Sequence, residues 1–257
     1  MAQGSDRKSN SKAEPVAGPL DETVGWGSDV AAQMLRRFNI PWIALTPGAS
    51  YRGFHDSLVN HLGNERPEML LCLHEEHAVA IAHGYAKVTG QAMAVALHSN
   101  VGLMHGSMAI FNAWGDRAPM LILGATGPLD ASQRRPWIDW LHSTQDQGAL
   151  IRSFTKWDDQ PGSAKALPEA IARGWKITNT SPMAPVYINL DAGWQEAPVE
   201  PDMAWPDLAR HFPLAAPRPD PARVAQVAKV LSEAKSPVIL MGRGARTKAA
   251  MQTRVAL

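Results

Sequence analysis

The sequence holds a single cysteine, Cys72, and places it inside an apolar run. That excludes an internal disulfide framework and any cysteine-rich metal site, and it predicts a reducing compartment. An excess of either charge is also lacking. The 25 Lys and Arg residues are balanced by 24 Asp and Glu, so nothing argues for nucleic acid or an anionic membrane as partner. Small metabolites are the expected partners. No run of about eighteen apolar residues occurs, and the opening MAQGSDRKSNSKAEPVAGPL lacks the apolar stretch of a secretory signal. A cytoplasmic protein with a disordered tail over residues 1–20 is the expectation.

What the chain does have is enough apolar content, 45% of 257 residues, for one large domain or one domain and part of another. Ser28 and Asp29 offer a cap for a helix over Val30 to Phe38, whose Val30, Met34, Leu35 and Phe38 share a face. Short apolar runs then alternate with helical stretches. Strand 41–45 is followed by helix 53–62, strand 69–73 by helix 76–88, and strand 93–97 by helix 106–114. Strand 120–123 leads into a long polar stretch, and helix 163–177 precedes strand 186–190. Strands apolar on both faces and alternating with helices predict the α/β class, a parallel sheet flanked by helices. In such folds ligands bind beyond the carboxyl ends of the strands. Four strand ends therefore matter: Thr46-Pro47-Gly48, His74-Glu75, His98-Ser99-Asn100 and Gly124-Ala125-Thr126.

Residues 196–221 are proline-rich and keep no helical or strand period, which predicts an interdomain linker. Beyond it, helix 222–233 and strand 237–241, closing with Gly242-Arg243-Gly244, begin a second α/β unit that is unfinished at Leu257. The chain is therefore expected to be one part of a larger protein.

Three familiar motifs fail on spacing. HEEH at 74–77 is not H-E-x-x-H, because the residue four after His74 is Ala78, so no metal ligand is assigned. Ser107 lacks the flanking glycines of a nucleophile elbow. Gly242-Arg243-Gly244 lacks the third glycine of a dinucleotide loop, since position 247 is Thr. Glu75 differs in kind. A carboxylate at the end of a buried strand, ahead of Val79, Ala82 and Ala86, loses solvent, and desolvation favours a carboxyl that holds or shares a proton. A helix cap remains the alternative use of that charge.

LHEEHAVAIAHGYAKVTG at 73–90 resembles the segment carrying the activating glutamate in thiamine diphosphate enzymes, the superfamily of acetolactate synthase, pyruvate oxidase and benzoylformate decarboxylase. LTPGAS at 45–50 is similar to the first cofactor loop of that family, and ALHSNVGLMHGSMAIFNAW at 96–114 to its next loop and helix. RAPMLILGAT at 117–126, TKWDDQP at 155–161 and PVYINLD at 185–191 continue the register, and PVILMGRGA at 237–245 is similar to the opening of the middle domain. The resemblance implies a thiamine diphosphate-binding fold over residues 21–195, then the beginning of a second, Rossmann-like middle domain over 222–257.

It also implies roles for particular residues. The glutamate matching Glu75 hydrogen-bonds the cofactor's aminopyrimidine at N1′ and drives it to the imino tautomer. Thr46, Pro47, Gly48, Ser99, Val101 and His105 fall where the family contacts the cofactor. The His98-Ser99 pair is similar to a histidine-serine pair in benzoylformate decarboxylase, which implies that His98 relays protons near substrate. Ala125 and Ser143-Thr144 depart from the acetolactate synthase pattern. The expected activity is decarboxylation or carboligation of a small 2-oxo acid by a homodimer or homotetramer with its site at a subunit interface. The resemblance places Mg2+ ligands in a separate diphosphate domain, so the chain alone is expected to be inactive, and nothing in the sequence supports FAD. The rival reading is a noncatalytic α/β module that binds a partner or ligand, or a separate pyrimidine-domain subunit of a split enzyme.

Overall fold

The computed structural model describes residues 14–20, 23–200, 202–242, 244 and 247–257. Residues 1–13 of the expected tail and Arg243 lie outside them. The chain divides into two units, Met1–Ala215 and Ala216–Leu257.

In the first unit six strands form one sheet: β1 Trp42–Leu45, β2 Glu68–Leu71, β3 Ala94–Ala96, β4 Met120–Thr126, β5 Trp157–Asp159 and β6 Pro185–Asp191. Their order is β2-β1-β3-β4-β6-β5, and every pair is parallel. Parallel pairing needs crossovers, and helices α1 Gly27–Arg37, α2 Arg52–Asp56, α3 Glu75–Thr89, α4 Ser99–Gly115, α5 Leu167–Asn179 and α6 Ala192–Gln195 accompany the strands. Side chains alternate across the sheet. Ile43, Leu45, Leu121 and Leu123 join Val30 and Leu35 of α1 and Ile171 of α5 in one core. Ala44, Val95 and Ile122 meet Ala78, Val79 and Ala82 of α3 and Leu103 and Ile110 of α4 in the other. The α/β reading holds.

One buckle ties the strand starts together. Thr178, fully buried near the end of α5, accepts from the Met120 amide at 3.0 Å and donates to the Ala184 carbonyl at 2.7 Å. Each such bond contributes about 1 kcal/mol net. The opposite rim holds the reversal of strand order: β1 has β2 on one side and β3 on the other. Beyond the carboxyl ends of β1 and β3 is where folds of this topology bind ligands.

Several boundaries differ from the sequence reading. Helix α1 starts at Gly27 with Trp26 as its cap. Asp29 sits inside the first turn, where Oδ2 accepts from the Gly25 and Trp26 amides at 3.0 and 2.9 Å. Strand β2 ends at Leu71, and Leu73 is 96% exposed, because β2 is an edge strand with pairing only to β1. Helix α4 begins seven residues before the expected Gly106, and the short β5 was not anticipated. Residues 14–20 reach the unit through Glu14 to His55 at 2.8 Å and Ala17 to Asn60 at 2.9 Å. Much of the proline-rich segment lies against it as well: Val199, Met203, Trp205 and Leu208 pack on the first core, and Arg37 stacks on Trp205 at 4.5 Å.

The second unit contains α7 Pro221–Glu233 and α8 Lys248–Ala256. The expected strand 237–241 is not formed there. A strand needs a ladder partner, and none is described for these residues, whose Val238 and Leu240 are 81% and 94% exposed. Among the described residues no helix is long and apolar enough to cross a membrane.

Candidate active site

Each sequence-chosen residue sits at the carboxyl rim of the sheet or in the first turns of α3 and α4. After β1 the chain runs through Thr46, Pro47 and Gly48 into a short turn of 3-10 helix at Ala49–Tyr51. The Tyr51 hydroxyl donates to the Thr46 carbonyl, while the Thr46 hydroxyl is buried without a partner. After β3, His98 caps α4 and swings back over this turn. Its Nδ1 lies 2.9 Å from Ser50 Oγ, and its ring covers Gly48 so closely that a Cβ there would stand 2.3 Å from Cγ and Nδ1. Glycine is required at 48 by this approach. Burial lowers the His98 pKa, the neighbouring His142 lowers it further, and Glu75 partly opposes them. His98 is therefore neutral at neutral pH and can donate one proton while accepting another.

Glu75 opens α3 just beyond β2 and is 9% exposed. It faces α4 at Gly102, where a Cβ would stand 2.8 Å from Oε1. The bare glycine creates room for a carboxyl between two helices. Glu75 also acts on Tyr51, whose hydroxyl is driven upward in pKa by burial first and by this carboxylate and Cys72 after it. His105, two turns into α4 and largely exposed, has Nδ1 3.8 Å from Glu75 Oε2. Ser99 is fully buried at the start of α4 with φ of +36°, a strained value for a residue with a side chain, and Val101 is partly exposed in the same turn. Structure thus joins Thr46, Gly48 and His98 in one group and Glu75 and His105 in another beside it; Pro47 is exposed on the rim.

His74, Glu75 and His105 bring three ligand atoms within 4.8 Å of one another. The hydrogen bonding argues against a metal there. His74 Nδ1 accepts from the Glu76 amide at 3.1 Å, so the neutral ring carries its proton on Nε2, which points to His105 Nδ1 at 3.1 Å. That tautomer offers no lone pair to an ion.

Sequence reasoning missed Ser50, Tyr51, Gly102 and His142. Gly102 could have been found as a helix-breaking residue inside an apolar period. His142 lies in an aperiodic polar stretch and gives no local signal, yet its ring meets His98 edge to face at 4.5 Å between centroids.

A parallel sheet whose strand order reverses at β1, with a shielded carboxyl and histidines at its carboxyl rim, places polar groups where α/β folds of the ligand-binding class take their ligands. Residues 25–150 match the family model described as thiamine pyrophosphate enzyme, N-terminal TPP binding domain. By that match, residues 25–150 carry the N-terminal domain of the thiamine diphosphate enzyme superfamily. It is 28% identical over 214 residues to benzoylformate decarboxylase of Pseudomonas aeruginosa, covering 82% of this chain and 38% of that protein. It is 25% identical over 219 residues to the acetolactate synthase large subunit of Lactococcus lactis, covering 85% and 36%. The crystal structure of benzoylformate decarboxylase from Polynucleobacter necessarius shares the fold with a TM-score of 0.68 at 20% identity, over 83% of this chain and 38% of that one. The chain thus spans less than two fifths of each relative's length.

Proposed function

We propose that this chain supplies the pyrimidine-binding, cofactor-activating side of an enzyme that decarboxylates or carboligates 2-oxo acids with thiamine diphosphate. The observation that carries the reading is the Glu75 carboxyl, shielded at the end of β2 and set against the bare backbone of Gly102. The residues present fit the cofactor's pyrimidine: a buried carboxyl for a ring nitrogen, and the unpartnered hydroxyl of Thr46 on the neighbouring strand end. Thr46, Pro47, Gly48, Glu75, Ser99, Val101 and His105 would hold it.

When bound, thiamine diphosphate supplies an acidic C2 position and an electron sink for the electrons released on loss of carbon dioxide. Glu75 holds the proton at the pyrimidine nitrogen, and low exposure strengthens that hydrogen bond. His98, fixed by Ser50 and Gly48, exchanges protons with the substrate. Magnesium is expected through ligands outside this chain, and FAD has no support here. A homodimer or homotetramer is part of the same reading. The outward face of α4 carries Val101, Met104, Met108 and Phe111 at 38 to 56% exposure, an apolar stripe with heptad spacing suited to a second copy. A cytoplasmic location belongs to the proposal on the single cysteine alone. Residues 21–195 would form the pyrimidine domain and 222–257 the start of the middle domain.

Glu75→Gln in the enzyme carrying this chain tests the assignment. Calorimetry should show cofactor affinity within a few fold of wild type, while deuterium exchange at C2 slows by about two orders of magnitude or more. Unchanged exchange would remove Glu75 from its role.

A further inference from the structure

The rim of the sheet carries more hydrogen-bonding capacity than the reading above uses. Between β4 and β5 the chain folds over residues 128–147 with little regular structure, yet it is firmly tied. Asp139 is fully buried and accepts from the Arg135 amide at 2.7 Å, from Nε at 3.1 Å and from Nη2 at 2.9 Å. His142 then donates its amide to the Asp139 carbonyl at 3.1 Å, and its own carbonyl accepts from the Gly127 amide at 3.0 Å, just past β4. The backbone of His142 is therefore fixed to the end of β4 on one side and to the Asp139 clasp on the other.

So placed, the imidazole meets His98 edge to face. Its Nδ1 is nonetheless buried and without a partner, and the same holds for Oγ of the next residue, Ser143, which lies against Gly127 at the end of β4. A ring nitrogen and a hydroxyl withdrawn from water with nothing to bond are destabilising. Filling space against His98 would need no polar ring. Both atoms are explained if a ligand oxygen completes them.

We propose that His142 is a further substrate-binding residue, which together with the Ser143 hydroxyl takes a carboxylate oxygen of the 2-oxo acid while His98 faces the same group from the end of β3. The inference rests on the assignment of a 2-oxo acid made above.

The electrostatics agree with an anionic guest. His98 faces Ser50, Tyr51, Glu75 and His142, and His142 faces Asp139 and Arg135. Burial lowers the pKa of both rings; Asp139 pulls His142 upward and Arg135 pushes it down. At neutral pH each ring is uncharged and offers one N–H, so a carboxylate can accept from both without the repulsion of two adjacent cations. An oxygen-rich head group is thereby favoured over an apolar one, and His142 becomes a determinant of specificity.

The test uses His142→Gln and His142→Phe in the holoenzyme. Expected for His142→Phe is a rise of about tenfold or more in KM for small 2-oxo acids with cofactor affinity unchanged, since a hydrogen bond to a charged group is lost. His142→Gln keeps an amide donor and should recover part of the loss. In both variants the His98 ring, followed by NMR, should titrate at higher pH, because a neighbour that disfavours its charge is gone. Unchanged KM with an unchanged His98 titration would overturn the proposal. If His142→Phe fails to fold, His142→Gln and the NMR titration decide. If the wild type binds cofactor but turns over no 2-oxo acid, the functional reading falls. Adding pyruvate to the wild type then judges the inference separately: shifted His142 resonances support a carboxylate site, and unshifted ones refute it.

Discussion

Adding one methyl group at Gly102 measures how closely Glu75 is held. The position lies inside α4, where alanine is favoured over glycine by about 1 kcal/mol. The new Cβ would stand 2.8 Å from Glu75 Oε1, 3.2 Å from Cγ and 3.3 Å from Cδ. Comfortable contact needs roughly 3.5 Å, so the carboxyl must withdraw by at least about half an ångström. It is the far end of a flexible side chain and yields before the backbone does. The helix gain and the crowding nearly cancel, leaving the melting temperature of Gly102→Ala within a few degrees of wild type, about 1 kcal/mol either way. Activation should not escape so lightly. Misplacing a catalytic group by about 1 Å can cost 100-fold, and C2 exchange in the holoenzyme should fall by roughly 10- to 100-fold. The assay is deuterium exchange at the cofactor's C2 by acid-quench NMR, run beside a calorimetric melt. Wild-type exchange in a variant with wild-type melting would show that Glu75 has room to spare and would refute the reasoning.

His98→Ala should lower turnover by about 100-fold or more while leaving cofactor affinity near wild type, since the ring faces Ser50 and Gly48 and is assigned to substrate; lost affinity with intact turnover would contradict it. For Asp139→Asn a loss of about 1.5 to 3 kcal/mol is expected, because charge-assisted hydrogen bonds between the buried carboxylate and the part-buried Arg135 are weakened. Burial opposes ionisation of Asp139, but the Arg135 hydrogen bonds win and hold its carboxyl below the usual range. Its stabilisation is therefore present above about pH 4 and lost as pH falls through the lowered folded-state value. Denaturant melts between pH 7 and pH 3 should show the wild type's advantage over the variant shrinking in acid. A constant difference would exclude the pair as its source.

The strand and helix alternation was legible because both faces of β1, β3, β4 and β6 are apolar and no surface pattern interrupts them. Position alone singled out Glu75 as a carboxylate just past an apolar run but left a helix cap open, and the resemblance of residues 73–90 to the family's glutamate segment decided between them. The beginning of α4 was hidden by its own composition. His98-Ser99-Asn100 reads as turn chemistry, and Gly102 and Gly106 weaken the helical signal. The structure shows why packing overrides propensity: a Cβ at 106 would press within 3.2 Å of Leu97, as one at 102 would press on Glu75. Both glycines let α4 approach its neighbours. Strand β5 was missed since Trp157-Asp158-Asp159 is short, polar and at the sheet edge. The run 237–241 misled in the opposite direction, being apolar enough for a strand but without a ladder to join. His142 depends on chain connections that no local window contains.

The Thr178 buckle has a bearing on how such a protein can change over time. It gathers the starts of β4 and β6 and the end of α5 at the rim farthest along the strands from Glu75 and His98. Folding stability drawn from that rim is indifferent to which side chains line the other. Substitutions around His98, His142 and Ser143 can then redraw substrate range at small cost in folded population, so that one scaffold can diversify by drift at a single edge.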